Sequence, residues 1–149
     1  MQPLDQNDAQ ATVAVRLRTL LILWCAIFLS IPVYYVFSVV TAAPVGDANQ
    51  NGTLTIILTA AGLLSVVVSH IVKQKYLNQA VARQSIALVH VGYVVGFAVT
   101  EVAALLGLLD HFVTGNRYYY VLFIIAAMGM ALHFPRRDHL LAACYKGQL

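Results

Sequence analysis

IALVHVGYVVGFAVTEVAALLGLL (Ile86–Leu109) decides the fold. These 24 residues contain no lysine, arginine or aspartate and one acidic group, Glu101, the only glutamate in the chain. A helix that crosses a membrane needs roughly 17–25 predominantly apolar residues. Strands of a membrane barrel are shorter and alternate in polarity, and this stretch does not alternate. Three further runs share its character: about Leu17–Val40, Leu54–Val72 and Tyr118–Phe134.

The composition of the whole chain agrees. Of its 149 residues, 60% are hydrophobic and 10% charged, and the mean hydropathy is +0.78. A soluble domain carries about 25% charged residues, so too few polar groups are present to cover a globule in water. The sequence predicts an all-α integral membrane protein, a four-transmembrane-helix bundle folded as one membrane domain over residues 1–149. Its helices are expected at 17–40, 54–72, 86–109 and 118–134, with a short tail at 135–149. The first run exceeds the 7–15 apolar residues of a signal peptide, and Pro44 would follow the candidate cleavage site at Thr41–Pro44. Pro32 removes one backbone hydrogen bond from the first helix and predicts a kink near Phe28–Pro32.

Charge gives the orientation. Arg16, Arg18, Lys73, Lys75, Arg83, Arg136, Arg137 and Lys146 fall in the N-terminal segment, the second loop and the tail, whereas Arg117 alone falls in the third loop and the first loop has no basic residue. An eight-to-one split places both termini in the cytoplasm by the positive-inside rule. The basic balance thus reports topology, and nucleic acid is not an expected partner. The lipid bilayer is, together with other membrane subunits or further copies of the chain, in what we read as a bacterial inner membrane. Tyr118, Tyr119 and Tyr120 suit an interfacial anchor on the far side. Asn51–Thr53 matches a glycosylation acceptor that matters only in a secretory eukaryotic context. The segment Lys73–Ser85 is polar enough to lie in water, as a loop or as a helical extension. Cys25 and Cys144 differ in depth and do not predict a disulfide; packing is the expected role of Cys25.

Glu101 is the candidate functional residue. The thirteen Leu, Ile, Val and Phe residues of its span favour insertion by roughly 4–8 kcal/mol, against roughly 3 kcal/mol for one central acid. The helix therefore inserts with Glu101 in place. At 100° per residue, His90, Val94, Phe97, Glu101, Leu105 and Leu108 share one face. Gly92, Gly96, Ala103 and Gly107 lie nearly opposite, a small-residue stripe suited to close helix packing. Glu101 is expected to point away from that seam, to a second helix, another subunit or a wet cavity. Desolvation penalises an ionised carboxyl, and a carboxyl that is neutral in lipid and ionised when wetted is what proton carriage requires. The structural alternative is a carboxyl that hydrogen-bonds a neighbouring helix and only holds the bundle together.

Ala82–Gln84 ("ARQ") followed by "GFAVTEVAALLGLL" resembles the second half of the proteolipid c subunit of rotary ATP synthases. The resemblance covers about residues 82–109. That family joins two helices by a cytoplasmic Arg-Gln-Pro loop and carries its ion-binding acid in a small-residue pattern on the second helix. Gly96, Ala98, Glu101, Ala103 or Ala104, Gly107 and Leu108 match at or near register. By this resemblance Glu101 is the ion carrier, and Arg83 and Gln84 form the contact with a partner. Ser85 stands where the family has proline, and the preceding helix lacks the family's dense glycine repeat.

His70, His90 and His133 form a second constellation, near one depth on three helices. Histidines on facing helices can ligate haem or a transition metal, but these lack a motif, so neither cofactor nor metal is expected. No glycine-rich phosphate loop, no GxSxG and no pair of intramembrane carboxylates is visible, and catalysis by the isolated chain is not expected. Trp24, Tyr34, Tyr35 and Phe37 in the first span read as packing or lipid-facing aromatics.

Overall fold

A computed structural model describes residues 6–41 and 52–144, with side chains from residue 10 onward. Pro44, Asn51 and Lys146, which figure in the cleavage, glycosylation and charge readings, lie outside the described residues. Among the described residues five α-helices are formed: α1 Gln6–Val40, α2 Gly52–Arg83, α3 Ile86–Thr114, α4 Tyr120–Leu132 and α5 Arg137–Cys144, with a 3-10 turn at Arg117–Tyr119 ahead of α4. No strand occurs among the described residues.

Helices α1, α2 and α3 are each long and apolar enough to cross a membrane. The fourth is not, by itself. At 1.5 Å per residue its thirteen residues cover about 20 Å, short of the roughly 30 Å hydrocarbon layer. It reaches four spans only if the bent unit of Arg117–Leu132 and Arg137–Cys144, broken by 44°, counts as one. Pro135 lies at that break, where a residue without a backbone N–H cannot extend the ladder.

The other helices outrun their apolar stretches. α1 starts at Gln6 rather than near 17, α2 continues to Arg83 rather than stopping at 72, and α3 reaches Thr114 rather than 109. Hydropathy marks where lipid ends; helix ends are set by propensity and capping. Gln, Lys, Arg and Ala, which fill the second half of α2, are good helix formers, so the segment beyond Val72 is helical. α1 runs unbroken through Pro32.

The α2–α3 hairpin is the spine of the fold and its most extensive helix contact. It turns at Gln84 in the left-handed conformation (φ 49°). Ser85 N–H donates to Ala80 O (3.0 Å) and Gln84 N–H to Val81 O (3.4 Å), which satisfies the last carbonyls of α2 as a Schellman turn does. At its far end α3 closes on Gly115, also left-handed (φ 60°), whose N–H donates to His111 O (3.2 Å). α1 and α4 pack on the hairpin, and α5 covers the end where α2 terminates and α3 begins. The core runs along α3, with Tyr93, Phe97, Ala103 and Ala104 fully buried against Leu122, Ala126 and Met130 of α4.

The small-residue stripe is occupied from within the chain. A methyl on Gly92 would meet Tyr76 Cβ of α2 at 2.8 Å, one on Gly96 would meet the His133 ring at 2.9 Å, and Gly107 lies under Leu122 and Phe123. Ala103 is buried beside Gly62 of α2.

Candidate functional site

Glu101 lies one residue past the midpoint of α3 and is partly buried. It faces α1. Ser30 Oγ and Tyr34 Oη each lie 3.0 Å from its Oε1. Ser30 and Tyr34 are four residues apart, which stacks them on one face of α1. Of the three destinations expected for this carboxyl, a second helix is the one the fold supplies.

The proton inventory at this contact is informative. The single Ser30 hydroxyl proton also has Ile27 O at 2.7 Å, a shorter approach than to Glu101. With that proton on Ile27 O, the Ser30–Glu101 contact needs a proton from the acid. With Glu101 ionised, Ser30 turns its proton to the carboxylate and Tyr34 donates as well. Both charge states are therefore accommodated by rotating one hydroxyl, because a serine oxygen can donate one bond and accept two.

Comparison with protein-family models, with curated proteins and with solved structures finds no match to this chain.

What the site can do must come from its own residues. A polar chain crosses from α3 to α4 on the side of α3 away from Glu101. Thr100 Oγ1 lies 2.9 Å from Ser69 Oγ, and Ser69 Oγ lies 3.3 Å from Nε2 of the fully buried His133. His133 Nδ1 is 2.7 Å from Gly129 O. A carbonyl only accepts, so Nδ1 carries the proton and Nε2 faces Ser69 as the acceptor of the neutral ring. Both nitrogens of His133 are thus engaged. His70 is exposed, with its ring edge-on to His133 at 6.0 Å between centroids, and His90 Nδ1 is buried without a hydrogen-bond partner. Among the described residues no three His, Cys, Asp or Glu side chains form a metal-binding group. His70 and His133 adjoin, and His90 does not join them in one centre.

Within residues 73–85, most of which are exposed as expected, Lys73 departs from the water-facing reading. It is only 3% exposed. Its Nζ donates to Leu132 O at the C-terminus of α4 (3.3 Å) and lies 5.6 Å from the Tyr93 ring centroid, where the negative end of a helix favours a cation. Tyr93 in turn ties α5 down: its hydroxyl is 2.6 Å from His139 Nδ1 and accepts from Arg136 N–H (3.2 Å). Arg83 and Gln84 are exposed at the hairpin turn, free of the rest of the bundle. Cys25 is exposed on α1, which replaces its expected packing role.

Ser30, Tyr34 and Asp110 are the polar site residues that the sequence did not single out. The signal for the first two was a hydroxyl pair at i, i+4 inside an apolar run. Asp110 stands one residue beyond the predicted end of the third span, and the longer α3 brings it into the bundle fully buried. α3 therefore carries two acids that are buried or half-buried within the bundle, Glu101 and Asp110.

Proposed function

We propose that the chain is a small multi-pass membrane component that handles protons or cations through Glu101, in the manner of a c-subunit-like proteolipid. The observation that carries this reading is the Glu101–Ser30–Tyr34 contact: a mid-helix acid on a spanning helix, held by two hydroxyls that suit both its charge states. The antiparallel α2–α3 hairpin, with Arg83 and Gln84 exposed at its turn, supports the same reading. Its small-residue stripe is filled by α2 and α4 of the same chain, so association with further subunits would use other faces. We place both termini in the cytoplasm, on the eight-to-one charge split, and the protein in a bacterial inner membrane.

One observation favours a second reading. Both hydroxyls on Glu101 come from α1, whose outer face is otherwise largely exposed, so the carboxyl could serve to hold α1 on the hairpin. Such bonds contribute roughly 0.6–2 kcal/mol each in membranes.

Reconstitution in vesicles separates the two. Glu101→Gln keeps an acceptor for Ser30 and Tyr34 but cannot ionise. Ion handling predicts that vesicles with the parent chain dissipate an imposed pH or cation gradient, alone or with co-purifying subunits, while Glu101→Gln vesicles hold it. Equal decay in both would leave Glu101 a structural tie.

A further inference from the structure

Asp110 is the one fully buried acid among the described residues, and nothing in the preceding reading uses it. It lies nine residues beyond Glu101, about 13 Å along the axis and half a turn round it, so it faces α2 instead of α1. Its Oδ1 is 2.9 Å from Thr55 Oγ1 of α2 and 2.9 Å from Thr114 Oγ1. Its Oδ2 is buried and has no hydrogen-bond partner.

Two forces oppose a bare carboxylate at this place. Burial removes the water that would solvate the charge, and the C-terminal end of α3 contributes the negative pole of the helix. Among the described residues no cation is paired with it. Arg117, the nearest basic residue in sequence, is exposed and bonded to Tyr118 (3.0 Å). The neighbouring His111 turns to α1 and the 3-10 turn, with Nε2 3.2 Å from Thr41 O and its ring against Tyr119. From α2 only hydroxyls face the acid. The ligand atoms are all oxygens with one formal negative charge, which suits one small hard monovalent cation. A groove of about 590 Å³ between α2 and the 3-10 turn reaches Thr55; its lining is mostly apolar, with Thr59, Asn116 and Tyr118 as its other polar residues.

We infer that Asp110, with the hydroxyl oxygens of Thr55 and Thr114, forms a second cation site, for Na⁺, at the end of the bundle opposite α5. Na⁺ occupies it through both carboxylate oxygens. The site goes beyond the proposal for Glu101 and does not depend on it.

Thermal unfolding of the full chain in nanodiscs tests this by comparing NaCl with choline chloride at constant ionic strength and fixed pH. Binding at about 100 times Kd raises the folded-to-unfolded ratio about 100-fold. The parent chain and Glu101→Gln should both show that stabilisation, and Asp110→Asn should lose it. Thr55→Val keeps the carboxyl and removes one ligand oxygen, and should shift the midpoint of the response by about tenfold in cation concentration. The inference is overturned by equal responses in the parent and Asp110→Asn, by no response to Na⁺, by an unshifted midpoint in Thr55→Val, or by loss of the response in Glu101→Gln.

Discussion

The hydroxyl of Tyr34 and the carboxyl of Glu101 meet 3.0 Å apart across the seam between α1 and α3. This contact, repeated one turn earlier by Ser30, is where the first helix is fastened by polar atoms to the middle of the hairpin. Removing one partner at a time therefore distinguishes attachment from chemistry. Tyr34→Phe should weaken the docking of α1 by about 0.6–2 kcal/mol, read as a lower midpoint of unfolding in detergent. Glu101→Leu should cost more, because both bonds are lost. Glu101→Gln should stay close to the parent, since its carbonyl still accepts. A Gln variant as unstable as the Leu variant would show that the negative charge itself holds α1.

Gln84 tests the hairpin turn. A non-glycine residue at φ 49° carries a steric cost of roughly 1–2 kcal/mol that glycine avoids. Gln84→Gly should therefore stabilise the protein by up to about 1 kcal/mol, after allowing for the greater freedom of glycine in the unfolded chain. Should the same variant lose association with a co-purifying subunit, the Gln84 side chain is a partner contact and not only a turn residue.

Gly129 tests how tightly α4 is held. A methyl there would meet Val66 Cγ1, Val66 Cγ2 and Thr100 Cγ2, each at 2.9 Å. Val and Thr are stiff at χ1, so these atoms cannot swing aside cheaply. Gly129→Ala should cost about 1–3 kcal/mol, as overpacking does, and should perturb the Thr100–Ser69 bond. Met128→Ala, at an exposed position on the same helix, is the control and should change stability little.

α5 should loosen in acid. It begins with Arg137 and Asp138 beyond Pro135, outside the three helices long and apolar enough to cross a membrane by themselves. Burial, reinforced by the charges of Lys73 and Arg136, holds His139 below the ordinary histidine range. Its neutral Nδ1 can then accept from Tyr93, and protonation removes that acceptor. The sign follows from linkage: stability is full above the unfolded value of about 6.5 and declines as pH falls below it toward the lower folded value. Protection of the α5 amides from hydrogen exchange should fall between about pH 7 and 5. His139→Gln, which does not titrate, should flatten that dependence.

The orientation can be read directly. In a background with Cys25 and Cys144 replaced, a cysteine at exposed Asn78 should resist impermeant reagents in intact cells, while one at exposed Arg117 should react. The reverse pattern would invert the bundle.

By itself the sequence determined the helical class, the three long apolar helices and the place of Glu101 within the third. These follow from local quantities: the length of an apolar run, a helical period and the cost of one charge in lipid. The same local quantities misjudged where helices end. Lys73 looked solvated because it follows an apolar run, yet α2 carries it into the bundle to meet the C-terminus of α4. Asp110 looked like the first residue of a loop, yet Gly115 ends α3 a turn later and leaves the acid buried. Only the tertiary structure decided that Glu101 is met by Ser30 and Tyr34, that Tyr76, His133, Leu122 and Phe123 fill the glycine stripe, and that the three histidines do not converge. Each of those depends on the rotation of one helix about its axis relative to another. Side-chain packing between helices fixes that rotation, and it leaves no mark in the composition of any single helix.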